Sequence, residues 1–328
     1  MKRLFLLMAV TLATALTATA QTAPKRHGWD NETPLYGNVD SLTITTYDLI
    51  VKGAEAVRHK KKVSNTYHFN NRGDVTAVFI NDSLSDSYTY NQRGDVTQHY
   101  YRVDYTYLAS DFYLYGTVNY EYNAKGELIK EYADAVGNFL SEYEENYQYN
   151  AKGQLVKENN SYWGHDSGSF DTISYKYNSI GQLIEKYNIS HEMGIDSYYI
   201  KKTDIKYDAK GNKIKESTTA DNYEYDYIKE STIKTYSRKY KSEYNYDTRG
   251  NKIKECKYNS DGTLEKKTTY EYDEKNRVIV VAHYDGNHLE EREVYEYDDR
   301  GNIATITKQK GERLIPYEQR VYEITYRE

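Results

Sequence analysis

The stretch Tyr120-Glu-Tyr-Asn-Ala-Lys-Gly126 decides the fold, because close copies of it recur along the chain. The pattern is aromatic, polar, aromatic, Asn or Asp, two further residues and then Gly, and it occurs nine times between residues 67 and 301. Recurrence of one short unit along a chain is typical of a repeat architecture. The copies, called the first to the ninth repeat below, begin at Tyr67, Tyr88, Tyr120, Tyr147, Tyr175, Ile205, Tyr244, Tyr270 and Tyr295.

The second half of the pattern predicts a hairpin turn. Asn or Asp at the first turn position can bond to its own backbone two residues on, as type I turns favour. Gly three residues later suits the left-handed position of a bulge that closes such a hairpin, and Asn is the best-tolerated substitute there. The predicted turn residues are Asn70 and Gly73, Asn91 and Gly94, Asn123 and Gly126, Asn150 and Gly153, Asn178 and Gly181, Asp208 and Gly211, Asp247 and Gly250, Asp273 and Asn276, and Asp298 and Gly301.

The first half of the pattern predicts a strand with one aromatic face. The residue between the two aromatic positions is polar in every repeat, for example Glu121 in the third and Lys176 in the fifth. Of the eighteen aromatic positions, sixteen are Tyr, and the exceptions are Phe69 and Ile205. Side chains alternate between the faces of a strand, so one face is expected to be aromatic and the other wet.

A second β-like run follows each turn, and a more variable turn then returns the chain. Two strands per repeat predict an all-β fold: tandem antiparallel β-hairpins in a long twisted or spiral meander sheet of roughly 18–20 strands. A spiral or solenoid, an open single layer and a barrel remain alternative closures. An outer-membrane barrel is not expected, because it needs an outward apolar band, and Lys and Glu fill the strands, as at Lys213 and Glu216.

Composition agrees with a folded repeat protein rather than a disordered one. The 328 residues include 40 Tyr but only 6 Phe and 3 Pro, and the net charge of -6 is too low for charge-driven disorder. The acidic balance also argues against nucleic acid as a ligand. Tyrosine must therefore supply apolar area that aliphatic residues usually supply, and whether its rings are buried in a core or exposed for binding remains open.

The N-terminus has the features of a secretory signal peptide. Lys2 and Arg3 precede an apolar run that ends in the small residues Ala18-Thr-Ala20. We expect a signal peptide over 1–20, an N-terminal leader with a degenerate first unit over 21–59, and a hairpin-repeat domain over 60–328. The expected location is periplasmic, secreted or at the cell surface, with no integral membrane segment after cleavage.

Segments such as Tyr122-Asn-Ala-Lys-Gly126, Tyr207-Asp-Ala-Lys-Gly211 and Tyr297-Asp-Asp-Arg-Gly301 resemble the YD repeats of the Rhs family. The resemblance covers about residues 60–305. It implies β-hairpins wound into a large spiral sheet, which in the big members forms a shell around a C-terminal toxin domain. No toxin domain is expected after the repeats of this chain, so the resemblance implies the strand architecture and an extracytoplasmic setting.

No catalytic, metal-binding or cofactor-binding motif stands out in the sequence. The most unusual loop lies between the fourth and fifth repeats, and Tyr162, Trp163, His165 and Asp166 are its candidate binding residues. The leading hypothesis is a non-catalytic exported scaffold that binds a protein or a glycan and needs no cofactor. The alternatives are an accessory or immunity partner related to Rhs toxin-shell proteins, and a hydrolytic enzyme with its site in the 158–205 insertions.

Overall fold

The computed structural model describes residues 35–105, 112–133, 142–163, 168–193, 197–227 and 229–328. These residues form twenty β-strands and no helix, so the prediction of an all-β fold built from antiparallel hairpins is confirmed. The strands are β1 (Val39–Lys52), β2 (Glu55–Phe69), β3 (Val75–Ile80), β4 (Ser83–Tyr90), β5 (Val96–Tyr105), β6 (Phe112–Tyr122), β7 (Leu128–Ala133), β8 (Glu142–Tyr149), β9 (Leu155–Trp163), β10 (Gly168–Tyr177), β11 (Leu183–Glu192), β12 (Ser197–Tyr207), β13 (Lys213–Asp226), β14 (Ser231–Tyr246), β15 (Lys252–Tyr258), β16 (Leu264–Tyr272), β17 (Val278–Asp285), β18 (His288–Tyr297), β19 (Ile303–Lys310) and β20 (Ile315–Tyr326).

The sheet closes on itself. Each strand pairs with the next along the chain, and β1 also pairs antiparallel with β20, from Val39 opposite Tyr326 to Asp48 opposite Glu318. Of the three closures that the sequence left open, the structure therefore has the barrel. The segment 21–59 contributes β1 to it, whereas the predicted signal peptide lies outside the described residues.

The hairpin turns of the nine repeats share one hydrogen-bond pattern. In the third repeat the N–H of Gly126 donates to the carbonyl of Asn123 at 3.0 Å, and the N–H of Asn123 donates to the carbonyl of Glu127 at 2.9 Å. The Oδ1 atom of Asn123 accepts from the N–H groups of Lys125 and Glu127. Each turn is thus held by its own first side chain, as expected for Asn or Asp at that position.

Each repeat also contains a bulge in the strand before its turn. The register shifts between the polar residue and the second aromatic position of all nine repeats, for example between Glu121 and Tyr122. The alternation nevertheless holds, because all nine intervening polar residues are exposed and none of the eighteen aromatic positions is. We call the two sides of the sheet the tyrosine face and the polar face.

Tyrosine hydroxyls tie consecutive repeats together. The second aromatic residue of a repeat donates to the carbonyl of the residue that lies two positions after the Gly or Asn of the preceding turn. Tyr246 Oη, for instance, donates to the carbonyl of Lys213 at 2.8 Å. The same bond joins Tyr90 to Val75, Tyr177 to Leu155, Tyr207 to Leu183, Tyr272 to Lys252 and Tyr297 to Val278. These tyrosines therefore combine ring packing with a satisfied hydroxyl, as buried tyrosines require.

A small apolar core lies where the barrel closes. Its buried members are Leu35, Val39, Leu42, Phe69, Val75 and Val78. Beside it Asn302, which is 0% exposed, accepts from the N–H of Tyr36 and donates to the carbonyl of Tyr36 and to the hydroxyl of Tyr326. Arg327 donates to the carbonyls of Val39 and Asn70. The two ends of the described chain are therefore fastened to the last and first repeat turns.

Candidate binding surface at the variable rim

The barrel has two unlike rims. All nine repeat turns connect an even-numbered strand to the next odd-numbered one, so they lie together at one end, which we call the motif rim. The other ends of the strands form the variable rim, where the connections differ in length and sequence along the chain. The eighteen turn residues predicted from the sequence are thus all on the motif rim.

Basic side chains on the motif rim lie beside acidic or polar neighbours, and two of them form ion pairs. The residue before the turn Gly or Asn is exposed in every repeat and is basic in eight of the nine. Arg93 lies 2.9 Å from Asp95, and Arg72 lies 3.3 Å from Asp74. From the sixth repeat onward the first turn residue is itself Asp, as at Asp208. Such pairs favour a solvated, charge-balanced rim over a site for an anionic partner.

Two of the four candidate binding residues lie at the end of β9 by the variable rim. Tyr162 is 47% exposed and Trp163 is 42% exposed, in contrast to the tyrosines of the repeats. As consecutive strand residues they lie on opposite faces, with Tyr162 on the tyrosine face and Trp163 on the polar face. The other two candidates, His165 and Asp166, lie outside the described residues.

A cleft of about 450 Å³ lies beside Tyr162 on the tyrosine face. Glu131 of β7 stands directly opposite Glu145 of β8 in the sheet register, and Glu145 stands opposite Asn160 of β9. Like charges at opposed positions destabilise a sheet. The full lining is Glu131, Tyr143, Glu145, Asn160, Ser161, Tyr162, Ser169 and Asp171. The cleft is therefore rich in hydrogen-bond acceptors.

The surroundings of Glu131 make its ionisation unfavourable. Burial raises the pKa of Glu131 and the nearby Glu145 charge raises it further, against a hydrogen bond that Tyr143 Oη donates at 2.9 Å. The same burial and the Glu131 carboxylate raise the pKa of the Tyr143 hydroxyl. Among the described residues no ion pair neutralises Glu131. A carboxyl whose pKa is raised in a cleft is a functional-site candidate.

The sixth repeat shows what is missing around Glu131. Glu216 occupies the corresponding position, five residues after the turn Gly, and Tyr244 donates to it at 2.6 Å. Lys213 also lies 2.9 Å from Glu216. Burial opposes the charge of Glu216, but these two hydrogen bonds outweigh it and lower its pKa. The third repeat has Leu128 where the sixth has Lys213, so a counter-ion present in one repeat is absent from the other.

Sequence reasoning missed the Glu131–Glu145 pair. The two residues belong to consecutive strands joined by a variable connection, and nothing in the motif sets the register across that connection. The sequence does show Leu instead of Lys two residues after the turn Gly of the third repeat, and this difference signals that the following Glu lacks a Lys partner. It distinguishes Glu131 and Glu158, which follow Leu128 and Leu155, from the Lys-paired Glu216.

A second, smaller depression lies on the polar face beside Trp163. Its volume is about 320 Å³, and its lining includes Tyr132, Glu142, Glu144, Ser161 and Trp163. The indole packs edge-on against Phe170 with the ring centroids 5.0 Å apart. Phe170 is 39% exposed, so two large aromatic rings meet solvent on the polar face.

Within the described part of the chain, no group of three or more His, Cys, Asp or Glu side chains is arranged to hold a metal ion. Cys256 is a buried free thiol in β15.

None of the described residues belongs to a helix long and apolar enough to cross a membrane.

Comparisons with known proteins give only distant likenesses. No family model matches the sequence, and no curated protein matches it. Among solved structures, a porin-like protein from Bacteroides uniformis is 12% identical, with 88% of this chain and 96% of that chain covered and a TM-score of 0.35. The crystal structure of TcdB2-TccC3-TEV contains a chain that is 13% identical, with 80% of this chain covered and a TM-score of 0.33. This chain spans 15% of that one. At these TM-scores neither likeness bears on function.

Proposed function

We propose that the protein is a non-catalytic, exported β-repeat scaffold, related to Rhs-type YD repeats, that binds a protein or a glycan at the cell envelope or outside the cell. Most of the described chain consists of hairpins, and the features that recur from repeat to repeat stabilise the fold. They are turn side chains that bond to their own backbone and tyrosines that bond to the preceding repeat. What differs from repeat to repeat lies at the variable rim, where a scaffold would carry its specificity.

The observation that carries the proposal is the distribution of exposed aromatic rings. Among the side chains that the structure describes, no exposed Tyr, Trp or Phe ring occupies an aromatic position of a repeat. These exposed rings are Tyr115, Tyr162, Trp163, Phe170, Tyr225, Tyr227, Tyr236 and Tyr240, and all but Tyr115 come from β9, β10, β13, β14 and the connection after β13. Tyr and Trp are favoured at binding hot spots, because they offer large contact area with few rotors. Their concentration on one part of the barrel supports a binding surface there.

The test captures ligands on the immobilised chain, without its predicted signal peptide, from envelope extracts and from a glycan array. The test variant combines Tyr162→Ala with Trp163→Ala on the variable rim. The matched control combines Lys152→Ala with Ile180→Ala on the motif rim, where both side chains are exposed. We expect the wild type and the control to retain the same ligand and the test variant to lose it. Equal retention by all three, or no ligand at millimolar concentration, would refute the proposal.

A hydrolytic enzyme is the second candidate, and the Glu131–Glu145 pair favours it. Glycoside hydrolases use two carboxyl groups across a cleft, one of them with a raised pKa that lets it act as the acid. Here Glu131 would be the acid and Glu145 the second carboxylate. A panel of neutral glycans would test this, with an expected loss in kcat of at least about 100-fold for Glu131→Gln. Absence of hydrolysis by the wild type would remove this candidate.

A further inference from the structure

Five aromatic side chains form a line across the polar face, and we call them the aromatic row: Trp163, Phe170, His191, Tyr198 and Tyr223. The sheet register places Phe170 opposite His191, His191 opposite Tyr198, and Tyr198 opposite Tyr223. Trp163 continues the line from β9, one pair further toward the variable rim. The row therefore crosses five consecutive strands, β9 to β13, in a direction perpendicular to them.

Three of the four neighbouring pairs of the row are in ring contact, and the fourth pair, Phe170 and His191, is opposed in the sheet register. Ring centroids are 5.0 Å apart for Trp163 and Phe170, 5.5 Å for His191 and Tyr198, and 4.8 Å for Tyr198 and Tyr223. The last pair is stacked with an interplanar angle of 5°. Neighbouring strands lie ~4.8 Å apart, so the row extends over about 19 Å. That length suits a chain of several rings rather than a single small molecule.

Two lysines beside the row are already paired with carboxylates. Lys234 lies 2.8 Å from Asp221 and borders the Tyr223 ring. Lys130 lies 2.9 Å from Glu144 at the opposite end, beside the depression that Trp163 lines. An anionic or cationic ligand would have to compete with these partners, whereas a neutral ligand would not. Complementarity to the row therefore favours an uncharged ligand.

The polar groups at the ends of the row can bond to hydroxyls. Glu142, Glu144 and Ser161 line the depression beside Trp163, and Asp221, which accepts from Ser237 Oγ at 2.6 Å, lies two residues before Tyr223 on the same face. A pyranose ring presents C–H groups on its faces and hydroxyls around its edge. Aromatic rings flanked by a few acceptors match both parts of such a ligand.

We propose that the aromatic row is a platform for a neutral oligosaccharide chain that lies across β9 to β13 on the polar face. The inference rests on the proposed function and names its ligand class and its site. Three of the five rings, His191, Tyr198 and Tyr223, are remote in sequence from the loop that the sequence singled out, and the register of the sheet brings them into line with Trp163.

The test is isothermal titration calorimetry of the chain with neutral linear glucan and mannan hexasaccharides, the corresponding disaccharides, and a hexasaccharide of galacturonate. We expect a neutral hexasaccharide to bind, its disaccharide to bind at least about tenfold more weakly, and the anionic chain not to bind. Tyr198→Ala should weaken binding by about tenfold or more, as loss of a hot-spot ring does, and Tyr198→Phe should retain it. Tyr115→Ala, which removes an exposed ring of β6 outside the row, is the matched control.

The inference would be overturned if neither neutral hexasaccharide bound at millimolar concentration, if only the galacturonate chain bound, or if Tyr198→Ala bound as tightly as the wild type. Circular dichroism and the melting temperature of each variant separate a lost contact from a lost fold. If the sugars fail while envelope capture still depends on Tyr162 and Trp163, the platform is wrong and the scaffold proposal stands. If that capture fails as well, both are wrong.

Discussion

Asn123 donates through Nδ2 to Oε2 of Glu127 at 2.7 Å, across the turn of the third repeat. The same two positions are bonded in every repeat, but the direction of the bond changes along the chain. The first five repeats have Asn as the donor and Asp, Glu or Gln as the acceptor, and the last four have Asp as the acceptor and Asn or Arg as the donor. The two residues have therefore changed together, so that a donor always faces an acceptor.

Asn123→Asp should destabilise the barrel, because it places two carboxylates in contact at this turn. The expected cost is about 1–2 kcal/mol in the free energy of unfolding, as for a lost hydrogen bond with like charges left in its place. Adding Glu127→Asn recreates the pair of the sixth repeat and should recover most of that loss. Urea denaturation of the two single variants and the double variant measures the coupling. A double variant no more stable than Asn123→Asp alone would contradict the pairing rule.

Gly250→Ala should destabilise the seventh turn through its backbone alone. Gly250 has a φ of +91°, and an added Cβ would meet nothing closer than Asn212 Oδ1 at 4.0 Å. The cost is that of a left-handed L-residue, about 1–2 kcal/mol. The matched variant is Asn276→Gly at the same turn position of the eighth repeat, where φ is +62°. It relieves the left-handed backbone but removes the exposed bonds that Asn276 Oδ1 accepts from Arg249 and Asn251, so its net effect on stability should be smaller than that of Gly250→Ala. A loss as large as that of Gly250→Ala would contradict the backbone explanation.

The turns and the alternation of faces could be predicted because their interactions are local. Asn123 bonds to residues two and four positions on, and the seven-residue pattern together with the residue after it contains all of them. The closure of the barrel could not be predicted, because it depends on bonds such as that between Tyr36 and Asn302, which are 266 residues apart. Neither Tyr36 nor Arg327 belongs to a complete repeat, so no periodic signal marks them.

The candidate site was predicted only in part for a related reason. Tyr162 and Trp163 stood out as an unusual local segment, and both are exposed. The opposition of Glu131 to Glu145 and the alignment of Phe170 with Tyr198 depend instead on the register across variable connections. A shift of one residue in the pairing would move every side chain of the second strand to the other face. The sequence of a variable connection does not specify that register.

Tyr246→Phe should weaken the contact between the sixth and seventh repeats. Tyr246 Oη donates to the carbonyl of Lys213 at 2.8 Å, and its loss leaves that acceptor without this partner. The expected decrease in the free energy of unfolding is about 1 kcal/mol. Tyr227→Phe is the control, because Tyr227 is 71% exposed and lies outside the repeats. Equal effects of the two substitutions in chemical denaturation would show that the inter-repeat bond contributes nothing.

Asn302→Ala should loosen the closure between the first and last strands. Asn302 is 0% exposed and bonds to both backbone groups of Tyr36. Removing it leaves buried groups unpaired, at about 2–3 kcal/mol. Asn212→Ala, at the same position of the sixth repeat, removes one side-chain bond to Asp208 and should cost less. The Arg327 amide donates to the carbonyl of Asn38, and its hydrogen exchange should become faster in Asn302→Ala but not in Asn212→Ala. Similar exchange in both would place the closure elsewhere.

Glu131→Gln and Glu216→Gln should have opposite effects on stability at neutral pH. The folded-state pKa of Glu131 is raised above the ordinary glutamate value of 4.5, so the stability linked to its protonated form is lost as pH rises through that pKa. Glu131→Gln should therefore raise the melting temperature at neutral pH, by about 1–2 °C, and have little effect below pH ~4. The pKa of Glu216 is lowered, so its contribution is present above 4.5 and lost on acidification. Glu216→Gln should lower the melting temperature at neutral pH, with a deficit that shrinks as the pH falls. Melting temperatures of both variants relative to the wild type, measured over this pH range, give a slope against pH for each variant. Slopes of the same sign would mean that the Lys213 contact does not distinguish the two repeats.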